Sequence, residues 1–282
     1  MTYFKKPEWL KIKFQADAEF SHVNQVIKKH NLHTICTSGR CPNQSECWSK
    51  GTATLMILGE ICTRSCKFCN TLTGRPLPPD SNEPEKVALS IQLMQLKHAV
   101  ITSVDRDDLE DGGATHWAET IKAIKRINPA TTLEVLIPDF DGKIELVDKV
   151  INEKPNIISH NLETVRRLTP SIRTKAQYDT SLKVLAHIAS KNIVAKSGIM
   201  LGLGESKNEV LELMDDLLAT GCSILTIGQY MQPSRKNIAV SEYITPEKFD
   251  EFKQIGLKKG FKQVESAPLV RSSYCAEKHI MQ

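Results

Sequence analysis

Ala53-Thr54-Leu55-Met56-Ile57-Leu58-Gly59-Glu60-Ile61-Cys62-Thr63-Arg64-Ser65-Cys66-Lys67-Phe68-Cys69 is an apolar run of strand length that stops at Gly59-Glu60 and opens into three cysteines. The same grammar recurs down the chain: a short apolar run, a polar end, then a longer stretch of helical periodicity. The predicted strands are 53–58, 99–104, 133–137, 157–160, 194–201 and 224–229, and the predicted helices are 84–96, 116–127, 142–152, 176–191, 207–220 and 246–258. Pro84 and Pro246 stand where a first-turn proline is tolerated, and Gly221 follows the fifth helix as a C′ glycine.

Six β-α units in succession call for a parallel sheet with right-handed crossovers. An open doubly wound sheet would gather its chemistry at one switch point. Here every strand ends in polar residues, among them Asp105-Arg106-Asp107-Asp108, Pro138-Asp139, His160-Asn161-Leu162-Glu163 and Gly204-Glu205. That distribution favours an α/β fold of partial TIM-barrel type, (β/α)6, with the site at the C-terminal strand ends. The expected organisation is an N-terminal extension, residues 1–50, a barrel over 51–260, and a C-terminal tail, 261–282.

Composition sets limits on function. With 282 residues, 40% of them hydrophobic and 25% charged, the chain is an ordinary globular protein. No apolar run approaches the roughly 18 residues that span a bilayer. The charged start, Met1 to Lys13, carries Pro7 and no apolar stretch to serve as an export signal, so the expected compartment is the reducing cytosol, where thiols stay free or bind metal. A net charge of +4 fits an acidic partner but does not argue for nucleic acid.

Six of the eight cysteines lie between Cys36 and Cys69. They form two triplets, Cys36/Cys41/Cys47 and Cys62/Cys66/Cys69. Three thiolates can hold three irons of a [4Fe–4S] cluster and leave the fourth iron open. Disulfides do not suit the compartment, and structural zinc wants four Cys/His ligands in closer pairs, which neither triplet offers. Two open-site clusters are the best reading of the residues.

The spacing of Cys62, Cys66 and Cys69, with Phe68 before the third, resembles the signature of the radical S-adenosylmethionine (SAM) superfamily. That resemblance implies that SAM chelates the fourth iron and is cleaved by one electron to a 5′-deoxyadenosyl radical. The first triplet resembles the auxiliary-cluster motif of lipoyl synthases, and Arg271-Ser272-Ser273-Tyr274 resembles that family's C-terminal motif, in which the second serine is the fourth cluster ligand. Further stretches similar to the family are Lys6 to Leu10, Asp108 to Ala114, Ile137 to Phe140, His160 to Thr164, Lys196 to Gly202 and Gly228 to Ser234. One departure is Cys275, where the family would have histidine.

The resemblance implies a sulfurtransferase that inserts two sulfurs, at C6 and C8 of a protein-bound octanoyl-lysine. It would consume two SAM per lipoyl group and draw sulfur from a cluster on Cys36, Cys41, Cys47 and Ser273. The implied partners are lipoyl carrier domains (2-oxoacid dehydrogenase E2 subunits, glycine cleavage H protein) and a ferredoxin or flavodoxin reductant, with no nucleic acid and no membrane. Alkoxide is a poor match for soft iron–sulfur cores, so Ser273 would mark the iron most easily released. The alternatives are another sulfur-inserting radical SAM enzyme and, in a different class, a non-catalytic iron–sulfur carrier or sensor. Asn161 and Glu163 are candidates for the methionine part of SAM, with Arg173 for its carboxylate. Asp105, Arg106 and Asp107 are weaker candidates, His116 reads as a helix-start residue, and Cys222 as a small buried hydrophobe.

Overall fold

The structure is a computed structural model that describes residues 6–12, 16–274 and 276–279; Cys275 lies outside the described residues. The N-terminal extension contributes helix α1 (Ala18–Lys29), strand β1 (His33–Thr34) and two short helices, α2 (Ile35–Ser38) and α3 (Gln44–Ser49). Then come β2 (Thr54–Ile57), the two-residue strands β3 (Ile61–Cys62) and β4 (Leu72–Thr73), α4 (Glu83–Leu93), β5 (His98–Ser103) and α5 (Ala114–Ile127). They are followed by β6 (Thr132–Leu136), α6 (Ile144–Ile151), β7 (Ile157–Ser159), α7 (Thr169–Ile172) and α8 (Tyr178–Ser190). The chain continues through β8 (Val194–Leu201), α9 (Lys207–Ala219), β9 (Ile224–Gln229), α10 (Pro246–Lys259) and β10 (Gln263–Ser266).

The main sheet runs β1-β2-β5-β6-β7-β8-β9-β10, and every pairing is parallel except that of β1 with β2. Strand order follows chain order without reversal, so the sheet has no switch point. Right-handed crossovers then put all the helices on one face, and the other face becomes the inside of a partial barrel. Helices pack outward as the periodicity predicts: Trp117, Ile121 and Ile124 of α5 are buried with Val87 and Ile91 of α4 in one continuous apolar core. Gly221 takes φ +83° just past α9, as the C′ reading requires.

Inside the barrel a buried polar cluster is paired. The Lys196 ammonium on β8 lies 2.7 and 2.9 Å from the two carboxylate oxygens of Glu134 on β6, and the Ser159 hydroxyl on β7 donates to the same carboxylate at 2.8 Å. All three are fully buried.

The expected six parallel strands become seven. Strand β10 comes from the segment read as tail, and its register with β9 runs from Gln263↔Ile224 to Ser266↔Ile227. Gln-Val-Glu-Ser carries one apolar residue, so its sequence holds no strand signal; its membership is decided by the free edge of β9. Beyond it the tail folds back over the barrel's C-terminal end. The Gln229 amide donates to Pro268 O, and the Asn43 side chain donates to Leu269 O at 2.7 Å. A Cβ on Gly228 would lie 2.0 Å from Val270 O, so only glycine lets the tail pass this close to β9.

Candidate functional site

Two cavities each take one cysteine triplet: one opens among the loops at the C-terminal strand ends, the other beside the N-terminal ends of β2 and β5. The larger, about 640 Å³, is lined by Cys62, Cys66 and Cys69 with Asn161, Glu163, Arg173 and Gly198. The smaller, about 400 Å³, is lined by Cys36, Cys41 and Cys47 with Arg271 and Ser273. Among the described residues, no three His, Cys, Asp or Glu side chains meet where one metal ion would sit. The triplets instead line spaces with room for a multi-atom core. All six thiols are free.

The loop carrying Cys62, Cys66 and Cys69 is clamped on several sides. Its backbone is tied by Gly74 N–H to Cys62 O, Lys67 N–H to Ile172 O and Thr63 N–H to Asp105 O. Its central residue, Arg64, is buried and reaches across the ends of β5 and β6. Two of its nitrogens donate to Asp107 at 2.9 Å, and two donate to Asp139 at 2.8 and 3.1 Å. Asp105 is 3.4 Å away. Burial alone would raise the Asp107 carboxyl, but hydrogen bonds from Arg64 and Lys175 hold it well below its ordinary value. Burial and the neighbouring Asp105 push the Cys62 thiol up to about 12, and burial also raises Cys69. Apo thiols here keep their protons, so metal loading must release them.

The remaining walls fit a polar ligand. Asn161 Nδ2 donates to Glu163 at 3.0 Å, while Asn161 Oδ1 is buried without a partner. A Cβ on Gly198 would come within 2.9 Å of that oxygen and 2.6 Å of Thr226 Oγ1, so the glycine keeps this wall open. Glu163 holds φ +67°, pinned by Gly198 O and Met200 N–H, and burial raises its carboxyl. A non-glycine residue in this region is strain stored beside a cavity. Arg173 donates to Ser181 and Leu162 O, and no carboxylate among the described residues lies within ion-pair distance of it.

In the second cavity, burial and nearby Cys41 push the Cys36 thiol up to about 11. Burial also raises Cys41, against the pull of Arg271. Short helices α2 and α3 set the triplet, with Cys41 N–H donating to Cys36 O at 2.9 Å and Thr52 N–H to Cys47 O. Ser273 arrives from 226 residues beyond Cys47 in the chain, held beside the triplet by the tail contacts and by Tyr274, whose hydroxyl donates to Glu46. The Thr54 hydroxyl on β2 donates to Ser273 Oγ at 2.8 Å. That bond favours an anionic serine oxygen.

The structure thus brings together Cys62, Cys66, Cys69, Asn161, Glu163 and Arg173, and separately Cys36, Cys41, Cys47 and Ser273. Two of the weaker candidates are placed elsewhere. Arg106 points away from the larger cavity, paired with Asp108 and donating to Leu58 O and Leu77 O. Asp107 is consumed by Arg64 and Lys175. Asp105 does line the cavity and accepts from the Cys62 thiol at 3.8 Å. His116 starts α5, bonded to Glu83 at 2.7 Å, and Cys222 is buried. Sequence reasoning did not single out Arg64, Thr54 or Arg271 by itself. Arg64 could have been suspected as a charge inside a loop whose strand-end neighbours are acidic, but Thr54 carries no local signal.

The fold and the two cysteine-lined cavities are those of a radical SAM enzyme, and residues 56–217 match the family model described as the Radical SAM superfamily. Within that superfamily, the chain belongs to the lipoyl synthase family. It is 65% identical over 278 residues to a lipoyl synthase of Parabacteroides distasonis (99% of each chain) and 66% identical over 280 residues to that of Phocaeicola vulgatus (99% of each chain). It is 60% identical over 277 residues to the lipoyl synthase of Treponema denticola, covering 98% of this chain and 96% of that one. Among solved structures, the [FeFe]-hydrogenase maturase HydG superimposes with a TM-score of 0.60 at 13% identity, over 84% of this chain and 61% of that one. Streptococcus suis SuiB bound to S-adenosylmethionine gives 0.57 at 10% identity, over 77% and 51%. These distant likenesses support the fold, a partial barrel as expected. No helix among the described residues is long and apolar enough to cross a membrane.

Proposed function

We propose that this chain makes the lipoyl group, inserting sulfur at C6 and C8 of an octanoyl-lysine on a lipoyl carrier protein. The observation that carries the reading is the meeting of Cys36, Cys41, Cys47 and Ser273 at one cavity, beside a second cavity lined by Cys62, Cys66 and Cys69. Methylene and methyl C–H bonds have no acidic proton, so acid–base chemistry cannot functionalise them. When bound, SAM and two [4Fe–4S] clusters supply the radical and the sulfur for that task.

The chain's own residues bind, orient and enclose. Cys62, Cys66 and Cys69 are the ligands of the SAM-binding cluster. Asn161, with its unpartnered oxygen, and Glu163 take the amino end of SAM, and Arg173 takes its carboxylate. Cys36, Cys41, Cys47 and Ser273 hold the sulfur-donating cluster, and Thr54 steadies the serine oxygen. Residues 1–50 and 261–282 act together as the holder of that second cluster around the barrel of 51–260. E2 and glycine cleavage H-protein domains are the carriers, a ferredoxin or flavodoxin is the reductant, and the reaction belongs to the cytoplasm.

The test is anaerobic incubation of the reconstituted chain with SAM, dithionite and an octanoylated carrier domain, read by mass spectrometry. The expected product gains two sulfurs. Abundant 5′-deoxyadenosine without sulfur transfer overturns the substrate assignment. Cys36→Ser should keep SAM cleavage and abolish thiolation; surviving thiolation overturns the donor assignment.

A further inference from the structure

Arg271 stands in the wall shared by the two cavities and lines both. It is partly buried, and that burial lowers its pKa from the ordinary value. A guanidinium drawn partly out of water favours a nearby counter-charge. Yet its one hydrogen bond among the described residues is to the neutral Val270 O, at 2.6 Å. No carboxylate among those residues is within ion-pair distance of it, although Glu19 and Glu277 line the same smaller cavity. Cys36, Cys41, Cys47 and Ser273 line the smaller cavity with it. Gly228 also makes room for it: a Cβ there would sit 3.2 Å from the Arg271 guanidinium.

We propose that Arg271 is a positioning residue that supplies the built-in counter-charge of the sulfur-donating cluster. The inference rests on the assignment of Cys36, Cys41, Cys47 and Ser273 as that cluster's ligands. Three thiolates and an alkoxide make the core anionic, and the guanidinium compensates it from the side that faces the reaction cavity. The pairing offsets both charges at once. It retains the cluster despite a weak serine ligand and makes its reduction easier. It also explains why the tail brings an arginine together with its ligand serine.

The experiment uses the full-length chain in a Cys62→Ala/Cys66→Ala/Cys69→Ala background, so that spectra report the second cluster alone. Arg271→Gln and Arg271→Lys are compared after anaerobic reconstitution, with circular dichroism of the apo chains as the folding control. The expected result is iron loss to a chelator at least tenfold faster in Arg271→Gln, with a midpoint potential shifted negative. Arg271→Lys should stay within about threefold of the parent. In Arg271→Ala, added guanidinium should slow iron loss while equimolar sodium chloride does not, which a merely structural role would not show. Arg271→Gln that folds and keeps its iron and potential like the parent overturns the proposal, as does failure of guanidinium rescue. A parent background that binds no cluster overturns the ligand assignment itself, and the proposal with it.

Discussion

At the residue scale, chemistry is written in side chains whose charges have no partner nearby in sequence. Arg64 lies between two cysteines and is neutralised by carboxylates 43 and 75 positions away. Removing it as Arg64→Met would leave Asp105, Asp107 and Asp139 crowded around a buried gap. Such a break costs roughly 3–5 kcal/mol. The expected outcome is a lower melting midpoint in the apo chain and loss of iron from the first triplet, while the second triplet keeps its own. His160 offers a pH test. Burial, and then nearby Arg173, lower its pKa to about 4, and it bonds to Ile137 O and Ser181 as a neutral ring. The unfolded chain therefore binds a proton that the folded chain refuses between about pH 6.5 and 4, and stability falls as pH drops through that window. The loss approaches roughly 3 kcal/mol at the low end, and His160→Gln should flatten it in denaturant titrations. The cysteines were legible because their spacing is local; Thr54 was not, since its role exists only once Ser273 is packed against it.

At the scale of elements, periodicity located six strands and the helices α4, α5, α6, α8, α9 and α10 to within a few residues at their ends, but the 12-residue α1 (Ala18–Lys29) of the N-terminal extension was missed. Periodicity also failed for β10 and for α2 and α3, which are too short to show a period; their state is set by what they pack on. Gly228 marks the most demanding of these contacts. Gly228→Ala would drive a methyl group into Val270 O, and overpacking of this kind costs roughly 1–3 kcal/mol. The barrel should still fold. The tail should be displaced, and bound iron should fall from about eight to about four per chain on reconstitution, measured by iron and sulfide analysis.

At the scale of the whole molecule, the tail does two separable jobs. Residues 263–266 complete the sheet, while 270–274 complete the second cavity. A chain ending at Leu269 keeps β10 and should fold while holding about four irons instead of about eight. A chain ending at Gly260 exposes the edge of β9 and the face of α10 that β10 covers, and should aggregate. Equal solubility of the two truncations would show that β10 is dispensable to the sheet.

By itself the sequence determined the alternation of strands and helices, the barrel class, and two cysteine triplets with the chemistry their spacing permits. These follow from local periods and short spacings, which need no long-range contact to be read. Only the tertiary structure decided that the triplets line separate cavities, that Arg64 is spent on clamping a loop, that Thr54 serves Ser273, and that Arg271 lines both sites. The reason is physical: a charge or hydroxyl takes its role from whatever is folded against it, and in this chain those partners lie tens to hundreds of residues away.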